Sequence, residues 1–346
     1  MEIPNGGPSK KRPARRCCLW INRRGGLSEL VENGVGEGTQ KLFRSGYIAI
    51  AGRPNTGKST FLNRVLGHKV AIVTPKAQTT RTRILGVYEQ GEVQMVFLDT
   101  PGIHNPGRVL LNQAMVQTAY DSCRDADVTL YFVEAGTGLT DEDRQILATP
   151  SLKDSAVILV FNKMDRTPRD RLMMRLAAVA PLVGEAFAEV VPISALTGRN
   201  MERLLDLLPQ FLPEGPRYFP TGQKTDQPDT FIIGEVIREK LFLQLQQELP
   251  YALAVRVVTW QKRSPPSLVW DLDAEILVVR ESQKGIVIGH QGSVLKRVGS
   301  MARRELEAMF GGSIFMRLQV HVQKDWNGDP RVLMDLGYTE PVGDAD

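Results

Sequence analysis

From Tyr47 onward, short apolar runs alternate with stretches in which apolar residues recur every three or four positions. The runs predict strands at Tyr47–Ala51, Ile84–Tyr88, Val93–Leu98, Val128–Val133, Val157–Phe161 and Glu189–Ile193. Between them the longer period predicts helices over 58–66, 108–122, 140–148, 168–182 and 200–211. Val157-Ile158-Leu159-Val160-Phe161 is apolar throughout, which suits a parallel strand buried on both faces. Thr140, followed by Glu142 and Asp143, is a helix start with acids at the positive end. The alternation as a whole predicts an α/β unit with a mostly parallel, six-stranded sheet.

Pro209, Pro213, Pro216 and Pro220, then Thr221 to Asp229, break the periodicity and mark a linker over 213–230. Beyond it the order changes to helix Gly234–Glu248, strands Ala252–Thr259 and Ala274–Val279, helix Ser293–Met309 and strand Phe315–Val322. The βαβ spacing is gone, so a separate, smaller α+β domain is expected. Residues 1–45 are rich in Gly, Arg, Asn and Ser, with only the weak apolar cluster Cys17 to Ile21, and read as a disordered basic extension. The expected division is an extension at 1–45, a first domain at 46–212, a linker at 213–230, a second domain at 231–338 and an acidic tail at 339–346.

At 346 residues the chain is comfortable for two domains, and 42% apolar with 24% charged residues is ordinary globular composition. Three cysteines, two of them the adjacent Cys17 and Cys18, exclude a disulfide framework and fit a reducing compartment. No apolar run approaches the roughly 18 residues a spanning helix needs. The net charge of +4 conceals an asymmetry: residues 1–24 carry seven basic residues against Glu2, or +6, which leaves about −2 for the rest. A near-neutral body argues against gross basicity as the route to nucleic-acid binding. The basic tail is compatible with weak peripheral attraction to an anionic inner-membrane surface. Composition leaves bacterial cytoplasm and an organelle matrix both open, the latter if residues 1–45 are a transit peptide; Glu29, Glu32 and Glu37 dilute that signal.

The chemistry concentrates in Gly52-Arg53-Pro54-Asn55-Thr56-Gly57-Lys58-Ser59, with Thr60 next, between a predicted strand and a predicted helix. That order makes the loop a phosphate cradle. Its N–H groups and the helix N-terminus face the anion, Lys58 reaches the β and γ phosphates, and the Ser59 hydroxyl binds Mg²⁺. Asp99-Thr100-Pro101-Gly102 closes a later strand at the sheet edge where ligands bind. Asp99 there can hold Mg²⁺ and the Gly102 N–H can meet the γ-phosphate. Asn162-Lys163-Met164-Asp165 closes the strand Val157–Phe161, and a carboxylate in this place accepts two hydrogen bonds from guanine that adenine cannot supply. Ser194-Ala195 follows, with a backbone N–H for the guanine oxygen. The expected ligands are GTP and GDP. Ile103 stands where Ras-like proteins carry the water-orienting glutamine, and its side chain cannot do that work. Asn55 occupies the loop position at which related GTPases bind K⁺, and its amide oxygen suits that ion.

With these motifs in this order the chain resembles the Era family of translation-factor-class GTPases, from about Gly46 to Tyr338. The resemblance includes Lys76-Ala77-Gln78-Thr79-Thr80-Arg81 as switch I, Ile237-Arg238-Glu239-Lys240, and Lys324-Asp325-Trp326. It implies that Thr80 completes the Mg²⁺ shell with Ser59 and Asp99; Thr79 is adjacent and is the alternative. It further implies that Lys58, Thr80, Asp99 and Gly102 carry hydrolysis. Gly289-His290-Gln291-Gly292 is a GxxG, entered from Lys284 and Ile288 and followed by Lys296 and Arg297. It resembles the clamp of a type II KH domain, which holds about four nucleotides of single strand. The family resemblance implies a monomeric factor whose target is the 3′ end of small-subunit ribosomal RNA, acting in assembly of that subunit.

Overall fold

The structure, a computed structural model, describes residues 43–76, 78–153, 155–263 and 269–338. The expectations for the extension up to residue 42 and for the tail at 339–346 lie outside these residues. The first domain runs β1 (Arg44–Gly52), α1 (Lys58–Leu66), β2 (Ile84–Gln90), β3 (Val93–Asp99), α2 (Leu110–Asp125), β4 (Val128–Glu134), α3 (Asp141–Leu147), α4 (Pro150–Lys153), β5 (Ala156–Asn162), α5 (Arg169–Val179), β6 (Glu189–Pro192) and α6 (Met201–Leu207). The six strands lie in the order β2-β3-β1-β4-β5-β6, and β2 alone is antiparallel to its neighbour.

Each face of this sheet has its own core, because the strands are apolar on both sides. Phe61, Leu62 and Leu204 pack one face; Ala119, Ile146 and Leu172 pack the other. β1 begins three residues before its apolar run, at Arg44. Its polar start is satisfied at long range: Arg44 donates to the carbonyls of Pro209 and Leu212, and Ser45 Oγ to Pro216 O at 2.6 Å. Nothing in the local pattern announces those partners.

The proline-rich stretch is pinned to the sheet rather than free. Gln94 on β3 accepts the N–H groups of Tyr218 and Phe219 at 2.8 and 3.0 Å, and Val87 N–H on β2 donates to Lys224 O at 2.8 Å. Prolines lack a donor but keep an acceptor, and the Pro213 carbonyl likewise takes the Ser45 N–H at 3.2 Å.

The second domain comprises α7 (Asp229–Gln244), β7 (Leu253–Lys262), β8 (Val269–Val278), α8 (Glu281–Ile288), α9 (Ser293–Phe310), β9 (Ser313–Val322) and α10 (Pro330–Asp335). Its sheet pairs β7 antiparallel and β9 parallel to β8. α7 begins at Asp229, just after Pro228, five residues ahead of the predicted start. α8 was not predicted; its eight residues contain Gly285 and the unbroken run Ile286-Val287-Ile288, which has no helical period to read. Leu111 and Met115 of α2 share one buried cluster with Leu277, Trp326 and Leu333, so the two domains are joined through apolar contact.

Candidate functional site

The phosphate loop curls because Gly57 takes φ 95°, and a Cβ there would lie 2.2 Å from the Asn162 amide. Only glycine satisfies both demands. Asn162 then ties two elements together, donating to Thr56 O at 2.8 Å and accepting from Ala195 N–H at 2.9 Å. Ser194 Oγ donates to Asp165 at 2.6 Å, and Lys163 pairs with Glu134 at 3.2 Å. The loops after β5 and β6 thus form one wall, with Asp165 oriented by a hydroxyl.

Lys58 is buried, and its Nζ donates to the carbonyls of Gly52 and Arg53, both at 2.9 Å. Burial pushes its ammonium down to about 8, against the opposing charge of Asp99. Burial likewise pushes the Asp99 carboxyl up to about 6, against the Ser59 hydrogen bond and the Lys58 charge. In both groups loss of water outweighs mutual attraction.

Ser59, Thr80 and Asp99 converge. Ser59 Oγ lies 2.9 Å from Thr80 Oγ1 and donates to Asp99 Oδ2 at 2.7 Å; Thr80 reaches the same oxygen at 3.4 Å. Thr79 Oγ1 turns elsewhere, to Lys76 O and Thr74 Oγ1, both at 2.8 Å. The other oxygen, Asp99 Oδ1, is buried with no hydrogen-bond partner. Hydroxyls with a carboxylate are a hard donor set that fits Mg²⁺, and a buried orphan oxygen fits a cationic neighbour.

A cleft of about 520 Å³ gathers Pro54, Asn55, Gly57, Lys58, Ser59 and Thr60 with Thr80, Thr100, Gly102, Asn162, Lys163, Asp165 and Ala195. Gly102 presses on Pro54, where a Cβ would meet backbone at 2.7 Å. Thr100 and Asn55 line the cleft but turn side-chain donors to backbone carbonyls, whereas Arg53, Pro101, Ile103 and Met164 lie around it rather than in its lining. Thr100 Oγ1 donates to Ile50 O at 2.8 Å, Pro101 is buried, and Met164 sits half-buried beyond Lys163. Arg53 points its side chain away, to Asp143, and Asn55 Nδ2 donates to Pro75 O at 3.2 Å. Ile103 is 2% exposed within the core cluster that includes Ala49 and Ala119; its N–H donates to Gly52 O.

Two lining contacts were missed by sequence reasoning. His104 Nδ1 donates to Gly102 O at 2.7 Å, so Nε2 accepts from the Gln78 amide at 2.8 Å. The bridge links the segment after β3 to the segment before β2; the only signal was an imidazole two places beyond Gly102. The second contact crosses the domains. Arg238 on α7 donates to Thr79 O and pairs with Glu235. Arg81 enters the second domain, donating to Leu253 O at 2.6 Å and to Tyr251 O at 3.0 Å, beside the rings of Phe242, Trp326 and Tyr338.

In the second domain the GxxG is a tight turn between α8 and α9, with Gly289, Gln291 and Gly292 at φ 77°, 48° and 75°. Gln283 stabilises the entry by accepting from the N–H groups of Val279 and Arg280. A groove of about 410 Å³ runs from Gly292 and Lys296 along Leu295, Gly299 and Arg303 to Met316 and Leu318 on β9. Leu295, Gly299, Met316 and Leu318 were not singled out from the sequence. His290 is exposed at the turn, Ile288 is half-buried before it, and Lys284 lies 4.0 Å from Glu281. Arg297 faces the other way, donating to Gln244 at 3.0 Å.

A P-loop domain of this strand order, joined to an α+β domain with a GxxG turn, is that of a GTPase carrying a KH module. The family described as "50S ribosome-binding GTPase" matches residues 47–163, and the KH domain family matches 248–327. GTPase Era of Geotalea uraniireducens is 46% identical over 300 residues, covering 87% of this chain and 99% of the relative. GTPase Era of Syntrophus aciditrophicus is 46% identical over 305 residues, 88% and 98% of the two chains. Among solved structures, Era in complex with MgGDPNP and nucleotides 1506–1542 of 16S ribosomal RNA matches with TM-score 0.82 at 37% identity, over 86% of this chain and 99% of that one. A variant of Aquifex aeolicus Era bound to GDP·AlF4⁻ matches equally, at 38% identity over 86% and 100%. The chain belongs to the Era family and is a GTPase. No described helix is long and apolar enough to cross a membrane.

Proposed function

We propose that the chain is a GTP-operated switch that binds the 3′ region of small-subunit ribosomal RNA and assists assembly of the small ribosomal subunit. One observation carries the reading: Thr80, beside Ser59 and Asp99, directly follows Thr79, whose carbonyl Arg238 of the second domain holds. The segment that senses a γ-phosphate and the domain with the RNA groove are thereby adjacent. The RNA bound to the solved relative of 37% identity supports the target.

In this reading the G domain spans 46–212, the linker 213–230 and the KH domain 231–338, with the extension at 1–45 and the tail at 339–346. Loop amides from Gly52 to Thr60, with Lys58 and the Gly102 N–H, bind the phosphates; Asn162, Asp165 and the Ser194-Ala195 backbone select guanine. Ser59, Thr80 and Asp99 hold Mg²⁺, which when bound neutralises charge between the β and γ phosphates. The core position of the Ile103 side chain supports orientation of the attacking water by backbone groups. Asn55 is the candidate K⁺ ligand; turnover that is equal in K⁺ and Na⁺ at matched ionic strength would remove that role. Lys284, Ile288, Gly289 to Gly292 and Lys296 form the RNA-binding face, and Arg297 is left out of it because its side chain is held by Gln244. The chain acts as a monomer in the bacterial cytoplasm, with any attraction of residues 1–24 to lipid weak and secondary.

Affinity for a 3′-terminal fragment of small-subunit RNA, measured with GDP and with a non-hydrolysable GTP analogue, tests the switch. Different affinities are expected, and equal ones would overturn it.

A further inference from the structure

Arg53 and Asp143 lie 90 positions apart, yet their side chains meet at 2.9 Å, Nε to Oδ1. The Asp143 side chain is wholly buried and accepts four hydrogen bonds. Thr140 supplies two to Oδ2, from its N–H at 2.9 Å and its hydroxyl at 2.7 Å, and with the Asp143 N–H donating back to Thr140 Oγ1 at 3.3 Å they close the cap of α3. Arg53 and the Tyr131 hydroxyl, at 3.0 Å, supply two to Oδ1. Burial and the Asp143 charge push the Tyr131 phenol above its ordinary range, which suits its role as a donor. Capping needs only the first pair. The second pair connects the helix to the phosphate loop.

Arg53 is where that connection turns inward. Its side chain is fixed by Asp143, while its carbonyl accepts from Lys58 Nζ at 2.9 Å and from Thr56 Oγ1 at 3.0 Å. A residue held at its side-chain end by a buried ion pair presents a main chain of restricted orientation to the loop it opens. We propose that Asp143 is a positioning residue for nucleotide binding, acting through Arg53 to set the backbone of the loop before Lys58. The inference rests on the reading of Gly52 to Ser59 as the GTP phosphate cradle.

The test uses the full chain. With Asp143→Asn, the dissociation constants for GTP and GDP should both rise about tenfold, while kcat at saturating GTP changes less than about threefold, the pattern of lost uniform binding. Arg53→Ala leaves the α3 cap in place and should give the same loss, so it serves if Asp143→Asn fails to fold. The double variant should be no weaker than the weaker single one, because both remove one connection. Thr140→Ala weakens the cap and removes one donor to Oδ2 but leaves both bonds to Oδ1; it should lower the melting temperature and leave affinity within about twofold. Wild-type affinity in both Asp143→Asn and Arg53→Ala, equal loss in Thr140→Ala, or multiplied losses in the double variant would overturn the proposal. Failure of the wild-type chain to bind any guanine nucleotide would overturn the underlying reading as well.

Discussion

The Arg238 guanidinium, buried on α7, donates to the carbonyl of Thr79, and the next hydroxyl along the chain, Thr80 Oγ1, lies 2.9 Å from Ser59. A single peptide unit therefore belongs to both the Ser59–Asp99 cluster and the KH domain. Arg238→Lys keeps the charge opposite Glu235 but loses the planar fork that serves Glu235 and Thr79 together. The preference for GTP over GDP should fall about three- to tenfold, or up to roughly 1.4 kcal/mol. Titration with fluorescent nucleotides in Mg²⁺ reads this; an unchanged ratio would mean that Arg238 merely braces α7.

Among the described residues no carboxylate lies at hydrogen-bond distance from Arg81; carbonyls of Pro250, Tyr251 and Leu253 and three aromatic rings surround it. Burial pushes its guanidinium below the usual range. Arg81→Ala strips two buried acceptors and one part-buried acceptor of their donor and opens a void, at a cost of about 2–4 kcal/mol. Chemical denaturation should show that loss. RNA affinity should also lose its dependence on the bound nucleotide, since the anchor of the segment in the KH domain is gone.

Lys69, between α1 and β2, bridges Glu239 of α7 and Glu305 of α9 at 2.7 and 2.5 Å, and Lys240 joins the cluster. Partial burial pushes the Glu305 carboxyl up, but hydrogen bonds from Lys240 and Lys69 outweigh it and hold it below the usual range. A depressed carboxyl stabilises the fold above its unfolded pKa, and that stability is lost as pH falls through the folded one. Glu305→Gln should therefore cost about 1–2 kcal/mol near pH 7. The gap from wild type should narrow as pH drops below about 4.5, the usual glutamate value. A gap that stays constant down to acid unfolding would contradict it.

Ser59→Ala removes one of the three side chains proposed to hold Mg²⁺, at a half-buried position of the loop–helix junction rather than in the core. Affinity for GTP should fall about tenfold or more in Mg²⁺ and change little in EDTA. Equal losses in both would locate the effect in packing.

Lys296 lines the KH groove, whereas Arg297 on the adjacent position turns to Gln244. Lys296→Ala should weaken RNA binding across sequences and reduce the salt slope by about 1, while Arg297→Ala leaves the slope near wild type. Identical slopes in all three proteins would displace Lys296 from the phosphate path.

The motif residues were legible because their chemistry is local. A loop of eight residues between strand and helix sets its own amide directions, and a carboxylate at a strand end faces the sheet edge whatever lies beyond. Three features resisted. Ile103 was read as standing at the position of a water-orienting glutamine, and only the chain's course past Gly102 shows that its side chain lies in the core. α8 carries no helical period, and the choice between Thr79 and Thr80 depends on the register of a segment with no regular structure.

From its sequence alone this protein is a guanine-nucleotide P-loop domain followed by a GxxG domain. Those identities lie in short, contiguous patterns whose backbone geometry needs no distant partner. Tertiary structure alone decided that Thr80 joins Ser59 and Asp99, that Arg53 is held by Asp143, and that Arg81 and Arg238 tie the switch segment to the KH domain. Such pairs are separated by 19 to 172 residues. Arginine, threonine and aspartate are ordinary surface residues in any sequence window, and only the folded chain shows which ones lose water and acquire a partner.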